Sequence, residues 1–259
     1  MTDNDADQPI STGGPKGPIK DSLRQPLPKR FYKDVTLAPA RTGTGYEVHL
    51  DGRPLRTPLK RILIIAEPAF ADLVVEEWRA QTAVIDPAAM PATRLANSAI
   101  DTVADNRAAV ADEIVAYAGS DLLCYRAANP SGLVSRQNDV WDPILKAVEE
   151  TIGARFIRAE GIVHAAQPEA VPHKVAAAIE GLSDLQLAAA QLITTLTGSA
   201  ILAIAHVRGL IDADAVWSAA HLDEDWQIAL WGPDEEAAAR RAVHERDFRA
   251  AAAALAAKA

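Results

Sequence analysis

The rhythm of hydrophobic and polar positions changes near residue 90. Ahead of that point, residues 30–65 run in short apolar stretches broken by turn residues. Residues 31–37 and 46–50 read as strands, with Thr42-Gly43-Thr44-Gly45 and Asp51-Gly52 as turns. Residues 53–57 read as the return of a hairpin, and residues 61–66 as a fourth β-branched run. Strands so closely linked predict a small antiparallel sheet with one face to bury. Pro68 suits the first turn of a helix, and Phe70, Leu73, Val74, Glu77, Trp78 and Gln81 follow at helical spacing. That helix is expected to cover the sheet before Ile85-Asp86-Pro87 and Met90-Pro91 interrupt the chain.

Beyond residue 90 the period is helical and alanine-rich almost to the end. Residues 93–103 and 107–118 predict a helical pair, and residues 121–126 are ambiguous. A helix is expected from Ser135 through Pro143 to Gly153, then a short extended segment within 154–166 and another helix over 171–179. Ser183-x-x-Gln186 is a capping box that opens an apolar central helix, and Gly209 closes it. Asp212 or Asp214 caps the next helix, which runs to Gly232-Pro233, and residues 234–257 form a charged terminal helix. The expectation is an α+β fold. A small N-terminal antiparallel β domain with a helix (residues 28–90) precedes a larger, mostly α-helical C-terminal domain (residues 91–259). Residues 1–27, acidic and rich in Pro and Gly, read as a disordered tail.

Within this frame residues 221–232, HLDEDWQIALWG, stand apart: three acids lie beside two tryptophans and a glutamine. On one continuous helix, at about 100° per residue, Ala215, Ala219, Leu222, Trp226 and Ala229 form the core stripe. Trp217, Ala220, Glu224, Ile228 and Trp231 form the opposite one, too apolar for an ordinary solvated face and with a carboxylate in its middle. A charge bracketed by tryptophans suits binding a protein partner. The candidate contact residues are Glu224, Asp223, Trp217, Ile228, Trp231 and Gln227. The competing reading is that Glu224 is a solvated charge and both outward tryptophans belong to the core.

Composition narrows the classes. With 259 residues, 49% of them hydrophobic, the chain can bury a sizeable core. A net charge of −9, without a basic stripe carrying interleaved aromatics, argues against a nucleic-acid partner. Residues 185–207 carry no Asp, Glu, Lys or Arg and are long enough to span a bilayer, yet Gln186, Gln191, Thr194, Thr195, Thr197, Ser199 and His206 are spread through them. A buried central helix is therefore expected, and no stable membrane insertion. The single cysteine, Cys124, excludes an internal disulfide, fits a reducing compartment, and reads as a buried small hydrophobe. Trp78 and Trp141 read as core anchors. Arg53 and Arg56 are candidates to pair with acids such as Glu77, and Arg94, Asp101 and Arg126 are candidates for an ionic network.

Recognisable catalytic patterns are absent from the sequence. There is no phosphate-binding GxxxxGK[ST] loop, HExxH, CxxC or GxSxG, and Gly43-Thr44-Gly45 lacks the third glycine and following helix of a dinucleotide site. His221 and Glu224 stand three apart, but further metal ligands are missing, so neither metal nor cofactor is expected. Asp223, Glu224 and Asp225 are consecutive and point about 100° apart on a helix, so a carboxylate-dependent hydrolase would need a second acid such as Asp101 or Asp121.

Several stretches occur in a telling order: Arg30-Phe31-Tyr32-Lys33, residues 50–58 (LDGRPLRTP), Glu77-Trp78-x-x-Gln81, Met90-Pro91-x-Thr93, residues 121–126 (DLLCYR), Gln137, Trp141-Asp142-Pro143, and the acidic stretch ending Gln227…Trp231-Gly232. Across roughly residues 30–236 the chain resembles the ATP12 family of F1-ATPase assembly chaperones. The resemblance implies a β-rich N-terminal part and a larger helical part. It also implies binding of the unassembled α subunit of the F1 sector of ATP synthase, shielding of its β-facing surface until the hexamer forms, and no enzymatic activity. It further implies a critical acid in residues 222–227, carried over to Glu224 with Asp223 as second choice. In place of a mitochondrial presequence this chain opens on an acidic stretch. The expected location is therefore the bacterial cytoplasm, with the mitochondrial matrix second. The alternatives to an assembly chaperone are a different soluble protein-binding scaffold and, behind it, the carboxylate-dependent hydrolase.

Overall fold

The computed structural model describes residues 26–161 and 165–256; the expected tail lies outside them as far as residue 25. Asp51 and Gly52 reverse the chain with φ of 49° and 76°, the left-handed geometry that an Asp-Gly pair accommodates. The strand before this turn, β2 (Tyr46–Leu50), is the middle of the sheet. It pairs antiparallel with β1 (Val35–Pro39) on one edge, and with β3 (Arg53–Pro54) and β4 (Ile64–Ile65) on the other. β1 starts later than residue 31 because the preceding residues are held by side chains instead. The Tyr32 hydroxyl donates to the Trp78 carbonyl (2.6 Å), Arg30 donates to the Gln81 carbonyl (2.6 Å), and the Asp51 carboxylate accepts from the Lys33 and Asp34 amides.

The first helix, α1 (Pro68–Ala80), lays Phe70, Val74, Val75 and Trp78 on β1 and β2. Glu77 turns away from the arginines of the hairpin. Its carboxylate accepts from the Ala92 amide (2.6 Å), the Thr93 amide (2.7 Å) and the Thr93 hydroxyl (2.7 Å), and so closes the open N–H groups of α2 (Pro91–Ser98). Arg56 donates to the Lys60 carbonyl. In place of a separated helical pair, α2 continues through a wide π-turn over residues 99–103 into α3 (Ala104–Tyr117), which departs from helical angles at Asn106. The wide turn carries Asp101 to the sheet, where it accepts from the Thr57 hydroxyl (2.6 Å) and the Leu59 amide (2.9 Å). Arg94 instead pairs with Asp247, and Arg126 with Asp142 at 2.8 Å, so these charges make separate contacts, not one network.

Two short strands, β5 (Tyr125–Arg126) and β6 (Ala159–Glu160), pair in parallel around α4 (Ser131–Ile152). α4 starts ahead of Ser135, contains Pro143, and buries Trp141 completely. After α5 (Ala170–Ile179) comes the capping box at Ser183 and Gln186, with both reciprocal bonds made. The apolar run it opens is not one helix. Gly198 (φ 68°) ends α6 (Asp184–Thr197), and Ser199 caps α7 (Ala200–Val207), in which residues 200–205 are all buried. Among the described residues no helix is long and apolar enough to cross a membrane. α8 (Ala213–Ala220), α9 (Leu222–Trp231) and α10 (Glu235–Ala256) complete the chain, and α10 lies along α6 and α2.

Asp121 explains the break at Gly198. Its carboxylate, fully out of solvent, accepts from the Ser199 hydroxyl (2.7 Å), the Ile201 amide (2.9 Å) and the Leu123 amide (3.0 Å). Burial pushes its pKa up to about 6, against the pull of these donors. Replacing one acceptor oxygen by an NH2 group would turn a donor toward donors. Asp121→Asn is therefore expected to cost about 2–3 kcal/mol, read as a lower midpoint in urea with an unchanged slope.

Candidate functional site

Asp212 opens α8, its carboxylate accepting from the Ala215 amide at 2.8 Å. The helix does not continue through the acid–tryptophan segment. The Trp217 carbonyl receives both the amide (3.2 Å) and Nδ1 (2.9 Å) of His221, whose backbone (φ −105°, ψ 16°) leaves the helical range, and α9 starts afresh at Leu222. One continuous stripe is thereby replaced by two faces set at an angle. Trp217 turns inward: it is 6% exposed, its ring centroid 3.9 Å from that of His221 and 5.0 Å from that of Phe248 on α10. This corrects its placement on the outward stripe. Ala219 and Leu222 are buried and Trp226 is half-buried, as the core stripe requires, whereas Ala229 is exposed.

One of the three acids faces α4 and the other two share a cation on α10. Asp223 accepts from Nε2 of Gln137 (2.7 Å) on α4, and the buried Gln137 uses its oxygen to accept the Ala127 amide (2.8 Å). Asp225 pairs with Arg241 on α10 at 2.5 Å. That pairing, with Glu224 3.7 Å away, holds the guanidinium pKa above its ordinary value. Glu224 is left with this looser contact and a side chain 40% exposed.

Gly232 (φ 85°) ends α9, Pro233 follows, and Asp234 caps the start of α10 by accepting from the Ala237 amide at 2.7 Å. The two helices form a hairpin around a cavity of about 380 Å³ lined by Glu224, Gln227, Ile228, Trp231, Ala238 and Arg241. Trp231 stands at its mouth with 83% of its surface exposed, and Leu230 beside it with 57%. The fold thus assembles Glu224, Gln227, Ile228 and Trp231 on one feature. Asp223 is adjacent but committed to α4, and Trp217 is in the core. Sequence reasoning missed Arg241 and Leu230. The signal for Arg241 was present, because a Gly-Pro turn between two helices brings a cation early in the second against acids early in the first.

The α9 helix is seated on α4. A Cβ at Gly132 would come within 2.8 Å of the Trp226 ring, so only glycine lets the start of α4 approach that indole. As to chemistry, Glu224 and Asp225 meet at one cation, the Arg241 guanidinium, Asp223 is bound to Gln137, Asp101 holds a turn, and Asp121 is sealed in the core. The Cys124 thiol, 1% exposed, has its pKa pushed up to about 12 by burial, the reverse of an activated nucleophile. Among the described residues no group of His, Cys, Asp or Glu is placed to hold a metal ion.

Comparison with known proteins finds relatives of this chain. The family model described as ATP12 chaperone protein matches residues 29–149, which stops short of α8 to α10. A crystal structure of a candidate chaperone from Agrobacterium tumefaciens is 46% identical, covers 93% of this chain and 91% of its own, and superposes with a TM-score of 0.85. The crystal structure of Atp12 from Paracoccus denitrificans is 38% identical over 88% of this chain and 97% of its own, with a TM-score of 0.81. Protein atp12, mitochondrial, from Schizosaccharomyces pombe is 23% identical over 227 residues, 83% of this chain and 77% of that protein.

The joint between α8 and α9 should respond to pH. Burial, offset in part by the Trp217 carbonyl, lowers the His221 pKa below its ordinary 6.5. The folded protein therefore favours the neutral ring. The stability this contributes is present above the unfolded pKa and is lost as pH falls through the lowered folded value. His221→Phe keeps a ring against Trp217 but does not titrate. The wild-type melting temperature minus that of the variant is expected to fall between pH 7 and pH 5.

Proposed function

Because this chain belongs to the ATP12 family of ATP synthase assembly chaperones, we propose that it binds the unassembled α subunit of the F1 sector and covers that subunit's β-facing surface until the hexamer forms. The family consists of assembly chaperones, not enzymes. The observation that carries the docking assignment is Trp231, 83% exposed at the rim of a cavity whose wall includes the incompletely paired Glu224. An indole left in water is a standing cost that only a partner removes, and tryptophans with a neighbouring charge are frequent energetic centres of interfaces.

The roles divide by what each side chain touches. Trp231, Ile228 and Leu230 offer apolar area to an exposed apolar surface of the client. Glu224 takes a client Arg or Lys, and as that cation approaches, Arg241 remains anchored by Asp225, so the patch keeps its shape. Gln227 supplies an amide at the edge. Asp223 acts indirectly, by fixing α9 to α4 through Gln137. Release requires no fuel in this scheme, because the incoming β subunit competes for the surface being shielded. The proposed location is the bacterial cytoplasm, while the fission-yeast relative is named as mitochondrial.

Trp231→Ala is expected to leave folding stability within about 0.5 kcal/mol of wild type, because the side chain makes so little of the core. It should weaken α-subunit binding by about 2 kcal/mol, roughly thirtyfold, in a titration of purified α subunit. Glu224→Lys meets the client cation with a like charge, and pull-down of the α subunit should drop by more than tenfold. Wild-type capture by a folded Glu224→Lys protein would remove Glu224 from the interface. Wild-type capture by both variants would move the interface off α9 altogether.

A further inference from the structure

A second cavity lies away from the α9 face, where the sheet meets α2, the wide turn and the start of α6. Its volume is about 350 Å³, and Ile64, Ala99, Ile100, Ala104 and Leu185 supply most of its apolar wall. Two charged side chains at its edge are already committed. Arg61 donates to the Ile100 carbonyl (2.6 Å) and pairs with Asp105, and Asp184 pairs with Arg107. Glu67 also lines the cavity, and it is only 3% exposed.

Among the described residues no donor or cation reaches the Glu67 carboxylate. It makes no cap bond to α1, whose first amides it adjoins, and it enters no ion pair. Its oxygens are also absent from the buried side-chain atoms that are sealed from solvent without a partner. The small accessible area of this residue therefore includes the carboxylate, and the space that it lines is the cavity. A carboxylate on so little accessible surface, with neither a cation nor a donor from the protein, leaves its acceptor oxygens open to a bound cation.

We infer that this cavity is a binding site for a primary ammonium group carried on an apolar stem. The ammonium meets Glu67, and the methylenes lie along Ile64, Ile100 and Leu185, as lysine side chains divide themselves between an apolar wall and a charged end. A bare inorganic cation would leave the apolar walls unfilled, and an anion would face Glu67. The ligand class is an alkylammonium: a lysine side chain of a bound protein, or a free aliphatic amine. The cavity shares no residue with the α9 docking face, and its occupancy does not depend on that face.

The test is titration of the full-length protein with n-butylammonium chloride, followed by amide chemical shifts, with n-butanol and sodium chloride as controls. Saturable shifts are expected at Ile64, Ala99 and Ile100, absent with either control. Glu67→Gln, which keeps the shape and removes the charge, should weaken the affinity by about tenfold or more. Ala104→Leu narrows the opening from an exposed position and should weaken it without a change in melting temperature. Absence of shifts at these amides, equal shifts with n-butanol, or unchanged affinity in both variants would overturn the assignment. Once the site is confirmed, α-subunit binding measured with and without n-butylammonium, against equal sodium chloride, separates its two sources. Selective competition assigns a client lysine, and unaltered binding a free amine.

Discussion

The carboxylate of Asp121 lies out of solvent at the start of α7, the centre of the helical part. α7 is buried on every side along residues 200–205, and α4, α5, α6, α8 and α10 all pack against it. A helix that reaches no water must have its open amides met from within the protein. Ser199 and Asp121 do this together, one from the adjacent residue and one from the loop that follows α3. That loop is thereby fixed, and with it Arg126, which lies over the Trp141 ring at 5.2 Å and donates through Nε to the Leu123 carbonyl (2.8 Å). Trp141 in turn donates to the Ala219 carbonyl at the end of α8 (2.8 Å). A chain of directed bonds thus runs from the middle of the core to the joint between α8 and α9.

The proposed docking face depends on such support. α9 is a short helix with only Leu222 fully buried, so its own packing contributes little to holding it. Three kinds of contact orient it instead: the Asp223–Gln137 bond to α4, the Trp226 indole against Gly132, and the Asp225–Arg241 pair to α10. Two of the three acids are consumed in this way, and the one between them, Glu224, keeps only a looser 3.7 Å contact with the same Arg241 that Asp225 holds. The face is small and held at its edges, as the proposed docking role requires.

Much of this is legible in the sequence, and the misses have definite causes. The β hairpin at Asp51-Gly52, α1 opening at Pro68, the capping box at Ser183 and the stop at Gly232-Pro233 are local signals, and each is found where local chemistry puts it. The breaks at Gly198 and His221 are hidden because the apolar period runs on through both. At the first, left-handed Gly198 ends α6 and Asp121, distant in sequence, joins Ser199 in capping the helix that follows; at the second, the His221 ring takes the Trp217 carbonyl. Moving the break to His221 also reverses Trp217, since a periodic stripe does not carry across a joint. Charge alone matches Glu77 to the arginines of the hairpin, but buried amides of a following helix compete better for a carboxylate that spans that gap.

The wide turn at residues 99–103 sets the phase between the two rods it joins. By holding one residue more than an α-helical turn, it rotates everything downstream by about 100° relative to an unbroken helix. Val110 and Ile114 are the buried residues of α3, which also bends at Asn106, and the wide turn carries Asp101 to the sheet. Removing one residue from this turn would shift the phase of the following helix and withdraw Asp101 from Thr57 and Leu59.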